Sequence, residues 1–495
     1  MSKLKTLASD TLIYGVSTIL VRFLNWMLMP YYIRCMTTQD YGIITYFYSI
    51  IAILLVILTF GMETGFFKFA KSNDYKTVLS TTLSSVGFVS ILFFIIGIIF
   101  IHPIQNTLDI YVSKGLIIVN LVCLAVDAFT SIIFAKLRYE SNTRKYLYLR
   151  ILNVVVGLFF TVFYLTFCDI ILSSHFKFLV SWFYSPNNKV YYAFLANLLG
   201  SLSVLLFIIP DLVFVKGFIN KKLLKQMLVF SLPMLGVGIT GMININLDKL
   251  LLPKLLKGAN SLTDLAVYGA NFKIGLLMAM FAQSFRMAFE PFCFKFSDNK
   301  DIKYVYADVL KYFTIFGIFI FLFVLFYLDF INLFLTKEYL IGNTIIPIIL
   351  LGQLFSGIFY SQSLWYKLSN KPIYGLYLGV LGAILTISIN VFFVPIYGYI
   401  ASAWAGLICF VIMVLVSFII GHKYFPIPYE YFNILFYILI GIVLYYFSTF
   451  LKDNSLFFKV IFNTFLLLVF CCYVYFKEGI HHLILGYVNR NTDSK

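Results

Sequence analysis

Stretches of about twenty apolar residues recur from one end of this chain to the other. Residues 41–69 are typical: YGIITYFYSIIAILLVILTFGMETGFFKF. A helix of that length crosses the ~30 Å hydrocarbon layer of a bilayer. In lipid the backbone must satisfy its own hydrogen bonds, and the alternating pattern of a closed barrel is missing, so each stretch reads as a membrane-spanning helix. Of the 495 residues, 61% are hydrophobic and 12% charged, about half the charge of an ordinary soluble domain. The expectation is an all-α integral membrane protein of about 14 transmembrane helices. They begin near Thr11, Tyr41, Thr77, Val112, Leu147, Val190, Val229, Tyr268, Tyr304, Thr344, Pro372, Tyr397, Tyr429 and Ser455.

The formal charge is +16, yet it points to no nucleic acid, because the cations gather in short loops between spans. When the loops are assigned alternately to the two sides, the side that includes the N-terminus carries 23 Lys and Arg and the other side 8. That bias predicts that both termini are cytoplasmic. The longest outer loop, about Asp169 to Lys189, is too short to be a domain. The basic stretch KGFINKKLLKQML at 216–228 reads either as a linker lying on the membrane surface or as plain orientation charge. The first apolar run is too long for a cleavable signal. Seven cysteines show no metal-ligand spacing and, mostly within spans, no disulfide framework.

At an offset of 227 the chain repeats itself. Tyr41-Gly42 matches Tyr268-Gly269, Ala52 matches Ala279, Glu63 matches Glu290, and Phe67-Lys68-Phe69 matches Phe294-Lys295-Phe296. The copies are six spans apart and so cross in the same direction, as parallel repeats do in several transporters. Two pseudo-equivalent six-helix bundles around a central cavity are expected, with two further C-terminal helices. The lobes are residues 1–220 with helices 1–6 and residues 221–428 with helices 7–12, followed by 429–495 with helices 13–14 and a cytoplasmic tail.

A charge at bilayer depth is costly and usually faces a wet cavity or a partner. Thr18, Arg22 and Asn25 share a face of span one by their spacing. Span seven carries Asn244, Asn246, Asp248 and Lys249; span eight carries Lys273, Gln283, Ser284, Arg286 and Glu290. These stripes are expected to converge on one aqueous vestibule that binds an anion, since Arg holds phosphate oxygens through its fixed fork. Structural alternatives stand beside each: Arg22 balancing a buried acid, Lys249 pairing with Asp248, Lys273 snorkelling outward, Arg286 pairing with Glu290. Asp308 and Lys311 read as a helix-surface pair. Asp127, deep in span four, is a candidate for ion coupling or a counter-charge to Arg22. No metal or cofactor site is evident, and no phosphate-binding G-x-x-x-x-G-K-[ST] loop occurs.

The stretches LIYGVSTILVRFLNWMLMPYYIRCMTTQDYGIITYF, FSLPMLGVGITGMININLDKLLL, AVYGANFKIG and VPIYGYIASAWAGL resemble the polysaccharide exporters of the multidrug/oligosaccharidyl-lipid/polysaccharide superfamily, in particular the Wzx-type O-antigen and capsule flippases. The resemblance implies a bacterial inner-membrane protein that moves an undecaprenyl-diphosphate-linked oligosaccharide from the cytoplasmic to the periplasmic leaflet by alternating access. It implies membrane lipid and glycan polymerase machinery as partners, a monomer, and no catalysis. Two alternatives remain. A polytopic O-antigen polymerase or ligase would want a large outer loop or a carboxylate cluster, and the outer acids are scattered singly. A multidrug exporter of the same superfamily would favour acids in the cavity.

Overall fold

The computed structural model describes residues 20–108, 112–213, 219–256, 258, 260–295, 302–369, 371–451 and 455–479, with side chains described except at 211–213, 288, 290–292 and 294–295. Among these residues the regular structure is helical and no strand occurs. In chain order the helices are α1 (20–35), α2 (Thr38–Thr59), α3 (Met62–Phe69), α4 (Tyr75–Ile99), α5 (Ile101–Thr107), α6 (Lys114–Tyr139), α7 (Thr143–Val162), α8 (Cys168–Leu172), α9 (Lys189–Val213), α10 (Lys221–Leu255), α11 (Ser261–Lys295), α12 (Ile302–Phe326), α13 (Leu328–Ile331), α14 (Ile346–Gln362), α15 (Leu364–Leu368), α16 (Ile373–Tyr397), α17 (Tyr399–Tyr424), α18 (Tyr431–Thr449) and α19 (Leu456–Lys477). Among the described residues thirteen segments are long and apolar enough to cross a membrane. They fall on expected spans two to fourteen. The start of span one lies outside the described residues, and its remainder is α1.

Several polar residues between spans are helix caps. Thr37 and Asp40 form a reciprocal capping box at the start of α2, the arrangement that satisfies two orphan N–H groups at once. Asp74 caps α4, Ser113 α6, Asn142 α7 and Asn220 α10. Asn220 explains a departure from expectation. From Lys221 onward the basic stretch is not a separate surface linker but the first two turns of α10, because the cap starts the helix there and no breaker intervenes; residues 216–218 lie outside the described residues. Span two is broken between α2 and α3, where Phe60 and Gly61 both take positive φ, 33° and 72°. A Cβ on Gly61 would lie 2.5 Å from the Ser231 carbonyl oxygen of α10.

Lipid is as apolar as leucine, so helices in a membrane associate through close packing at small residues. The repeated Tyr-Gly pairs serve that purpose. A Cβ on Gly42 would sit 2.2 Å from the Leu262 carbonyl oxygen, and one on Gly269 would meet the Thr45 side chain at 2.7 Å. The two copies of the motif thus lie at one crossing, between the start of α2 and the start of α11, with Tyr41 and Tyr268 buried beside it.

The chain forms two compact units, Met1–Lys273 with Ile373–Cys409, and Ile274–Pro372 with Phe410–Lys495. In the first, α4 packs on α6, α6 and α7 on α9, and α10 on α2 and α16. Its core includes Met62, Phe66, Val86, Ala128 and Ile132, none measurably exposed. In the second, α12 packs on α14, α18 and α19. Lys311 is more than a partner for Asp308 here. Its Nζ lies 3.1 Å from Glu478, 3.2 Å from Glu430 and 3.6 Å from Asp308. One buried cation therefore ties α12 to the N-terminal end of α18 and the C-terminal end of α19.

Candidate functional site

Within the first unit α1 is fastened to α11 by the Trp26 indole, which donates to the Lys273 carbonyl oxygen at 2.8 Å. That bond places Lys273 with its Nζ 5.9 Å from the centre of the Tyr41 ring, half-buried. Such a contact leaves the ammonium donors available while the ring face supports the charge. Arg22 and Asn25 are exposed on α1, four residues and one residue before Trp26, the first buried side chain among the described residues. Thr18, expected on their stripe, lies outside the described residues.

Lys249 is engaged differently. Its Nζ lies 3.0 and 3.1 Å from the two Asp248 oxygens and donates to the Ile245 carbonyl at 2.7 Å. The ammonium also stands 3.6 Å from the centre of the Phe272 ring, and the Tyr268 hydroxyl donates to Oδ2 of Asp248, which Lys249 also engages. Lysine has three donors, and here they are directed at groups of its own unit, with Lys249 5% exposed. The local pair with Asp248, one of the two readings the sequence left open, is present in the geometry. Asn244, on the same helix, donates to the Gly379 carbonyl of α16 at 3.3 Å.

Asp127 is half-buried on α6. Ser201 of α9 donates to it at 2.6 Å, the Cys123 thiol at 3.6 Å, and Asn197 reaches the Cys123 sulfur at 3.4 Å. Among the described residues no cation lies within ion-pair distance of it. Sequence reading singled out the acid but missed its partners, because Ser, Cys and Asn are unremarkable in a span until their helices meet. A second buried pair was missed likewise: Ser402 donates to Asn390 at 2.7 Å between α17 and α16.

Gln283 and Arg286 belong to the second unit. Both are half-buried, and the Arg286 guanidinium stands 5.0 Å from the centre of the Tyr360 ring. Among the described residues no acid is paired with it; the side chain of Glu290, its expected alternative partner, lies outside them. Ser284 turns inward and donates to the Met280 carbonyl at 2.7 Å. No group of three or more His, Cys, Asp or Glu among the described residues could hold a metal ion. Among the described residues the inventory is thus of cations that stand over aromatic rings, Lys273 over Tyr41 and Arg286 over Tyr360, and of polar side chains.

A family model described as "Polysaccharide biosynthesis protein" matches residues 7–297. A comparison with curated proteins finds no match. Among solved structures, the fold is similar to that of the lipid II flippase MurJ in an inward closed conformation, with a TM-score of 0.71, 16% identity, and 94% of this chain and 99% of that one covered. It is also similar to an inward-facing multidrug resistance MATE family transporter of the MOP superfamily, at 0.63 and 12%, covering 84% of this chain and 97% of that one. A MATE protein in its straight conformation matches at 0.57 and 12%, with 85% and 95% covered. The chain belongs to the polysaccharide biosynthesis protein family and has the all-α membrane fold of the multidrug/oligosaccharidyl-lipid/polysaccharide superfamily.

Proposed function

We propose that this protein is a flippase that carries an undecaprenyl-diphosphate-linked oligosaccharide, an O-antigen or capsule repeat unit, from the cytoplasmic to the periplasmic leaflet of a bacterial inner membrane. The observation that carries the reading is the family match joined to a fold shared with a lipid II flippase over 94% of the chain. The two together pair glycan assembly with movement of a lipid-linked headgroup. Translocation requires no covalent step, and the chain performs none. It works as a monomer with both termini cytoplasmic, beside the polymerase that consumes its product.

In this reading Arg22, Lys273 and Arg286 meet the diphosphate, where Arg offers bidentate contacts and Lys a point charge. Asn25, Asn244 and Gln283 hydrogen-bond sugar hydroxyls. Lys249, locked to Asp248, sets the local potential and the α10–α11 spacing rather than contacting the cargo. Asp127 carries a coupling cation or proton in the cluster with Ser201 and Cys123. The excess of cations over acids supports an anionic cargo over the cationic drugs of a multidrug exporter.

The test is substitution in cells at equal protein level. Arg22→Ala and Arg286→Ala are each expected to abolish surface glycan while lipid-linked precursor accumulates on the cytoplasmic leaflet, and Lys at either position to restore part of it. Normal surface glycan in both Ala variants overturns the assignment.

A further inference from the structure

The first unit carries a groove that neither the diphosphate contacts nor the coupling cluster uses. Its walls are Gly87, Ile91 and Phe94 of α4, Ala125 and Phe129 of α6, and Leu205 of α9. It continues along α4 past Ser84 and Ser80 to Ile219. The two stretches are open grooves of about 340 and 490 Å³ and share Gly87, Ile91 and Phe129. All the helices that form it are spans, so the groove runs at bilayer depth. Gly87 and Ala125 are the small residues that open it. From Ser80 to Phe94 it extends roughly 21 Å at 1.5 Å per residue.

One end is basic. Lys76 stands one turn before Ser80 on the same face of α4, at the i, i+4 spacing. Lys221 and Lys222 follow Ile219, and the Asn220 N–H donates to Thr81 at 3.3 Å, which holds this segment against α4. All three lysines are exposed, and none is paired with an acid among the described residues. The nearest acid in sequence, Asp74, is occupied by the Thr77 N–H at 2.9 Å and hydroxyl at 2.7 Å. The order along the groove is therefore ammonium groups, hydroxyls, then an apolar slot. That is the order of an anionic lipid read from headgroup to chain.

We infer that this groove binds a resident anionic phospholipid, with its headgroup against Lys76, Lys221 and Lys222 and one acyl chain between α4, α6 and α9. A resident lipid is favoured over the isoprenoid tail of a travelling cargo because the floor is the packed core of one unit. Val86, Leu124 and Ala128 belong to the core behind the slot at 0, 2 and 0% exposure, all within one unit, so the unit's own packing sets the shape of the slot. The site stands whether or not the flippase assignment does, and its readout is binding alone.

The experiment is lipid retention by purified full-length protein in detergent, followed by native mass spectrometry with phosphatidylglycerol, phosphatidylcholine and undecaprenyl phosphate offered in competition. Wild type is expected to keep one phosphatidylglycerol in preference to phosphatidylcholine. Gly87→Leu and Ala125→Leu place side chains in the slot and are expected to lower retention roughly tenfold, equivalent to ~1.4 kcal/mol. The triple variant Lys76→Gln, Lys221→Gln, Lys222→Gln is expected to fold normally, since its changes lie on the surface. It should keep a bound lipid but lose the headgroup preference, by about fivefold per lysine. Retention unchanged in both slot variants, no headgroup preference in wild type, or displacement of phosphatidylglycerol by undecaprenyl phosphate from a slot that the Leu variants close would each overturn the proposal.

Discussion

The sharpest contrast at the scale of single residues is between Lys249 and Arg286. Both are cations inside a span, and from sequence they look alike. Lys249 has its donors spent on Asp248 and Ile245, whereas Arg286 is set over the Tyr360 ring. What separates them is an acid adjacent in sequence and a helix, α11, that brings Tyr268 across to it. The first was legible and the second was not, because which face of α11 meets α10 depends on packing at Gly42 and Gly269. A buried ion pair broken on one side leaves an uncompensated charge and costs ~3–5 kcal/mol. Asp248→Asn is therefore expected to lower the thermal unfolding midpoint of the detergent-solubilised protein markedly, with Asp248→Asn plus Lys249→Met recovering much of the loss. A midpoint unchanged in Asp248→Asn would show that the pair carries no such weight.

Among the elements, spans two to fourteen were readable from apolar length, since hydrocarbon thickness dictates it. What could not be read is where a span is internally broken or extended. The α2–α3 break needs the left-handed Phe60-Gly61 step, and the early start of α10 needs the Asn220 cap. The attachment of the last two helices was also invisible, because Lys311, Glu430 and Glu478 are more than a hundred residues apart at the extremes. The Glu430 side chain lies outside the spans, and its carboxyl is held below the usual carboxylate range first by the Asn433 amide and then by Lys311. A group whose folded value is depressed stabilises above its unfolded value, ~4.3 for Glu, and loses that contribution as pH falls through the folded value. Hydrogen exchange at the start of α18 should therefore be slower in wild type than in Glu430→Gln near neutral pH. The difference should disappear in acid, and its persistence there would assign the effect to something other than the charge.

For the whole molecule, the membrane class and the superfamily were legible because lipid imposes a crude and repetitive code, and because the Tyr-Gly frames mark a helix crossing that both copies share. Which polar residues act together was less legible: Asp127 needed Ser201 from a helix more than seventy residues away. The lobes expected at 1–220 and 221–428 remain a proposal about how the halves move, argued from the repeat. The central claim is that intramembrane cations pass an anionic lipid headgroup from one leaflet to the other. The most direct measurement is leaflet exchange of a fluorescent undecaprenyl-diphosphate oligosaccharide in proteoliposomes that contain the purified protein. The account predicts protein-dependent exchange that Arg22→Ala and Arg286→Ala each reduce at least tenfold, an effect of ~1.4 kcal/mol or more on the barrier. Exchange at the protein-free rate with wild type, or at the wild-type rate in both variants, would contradict it.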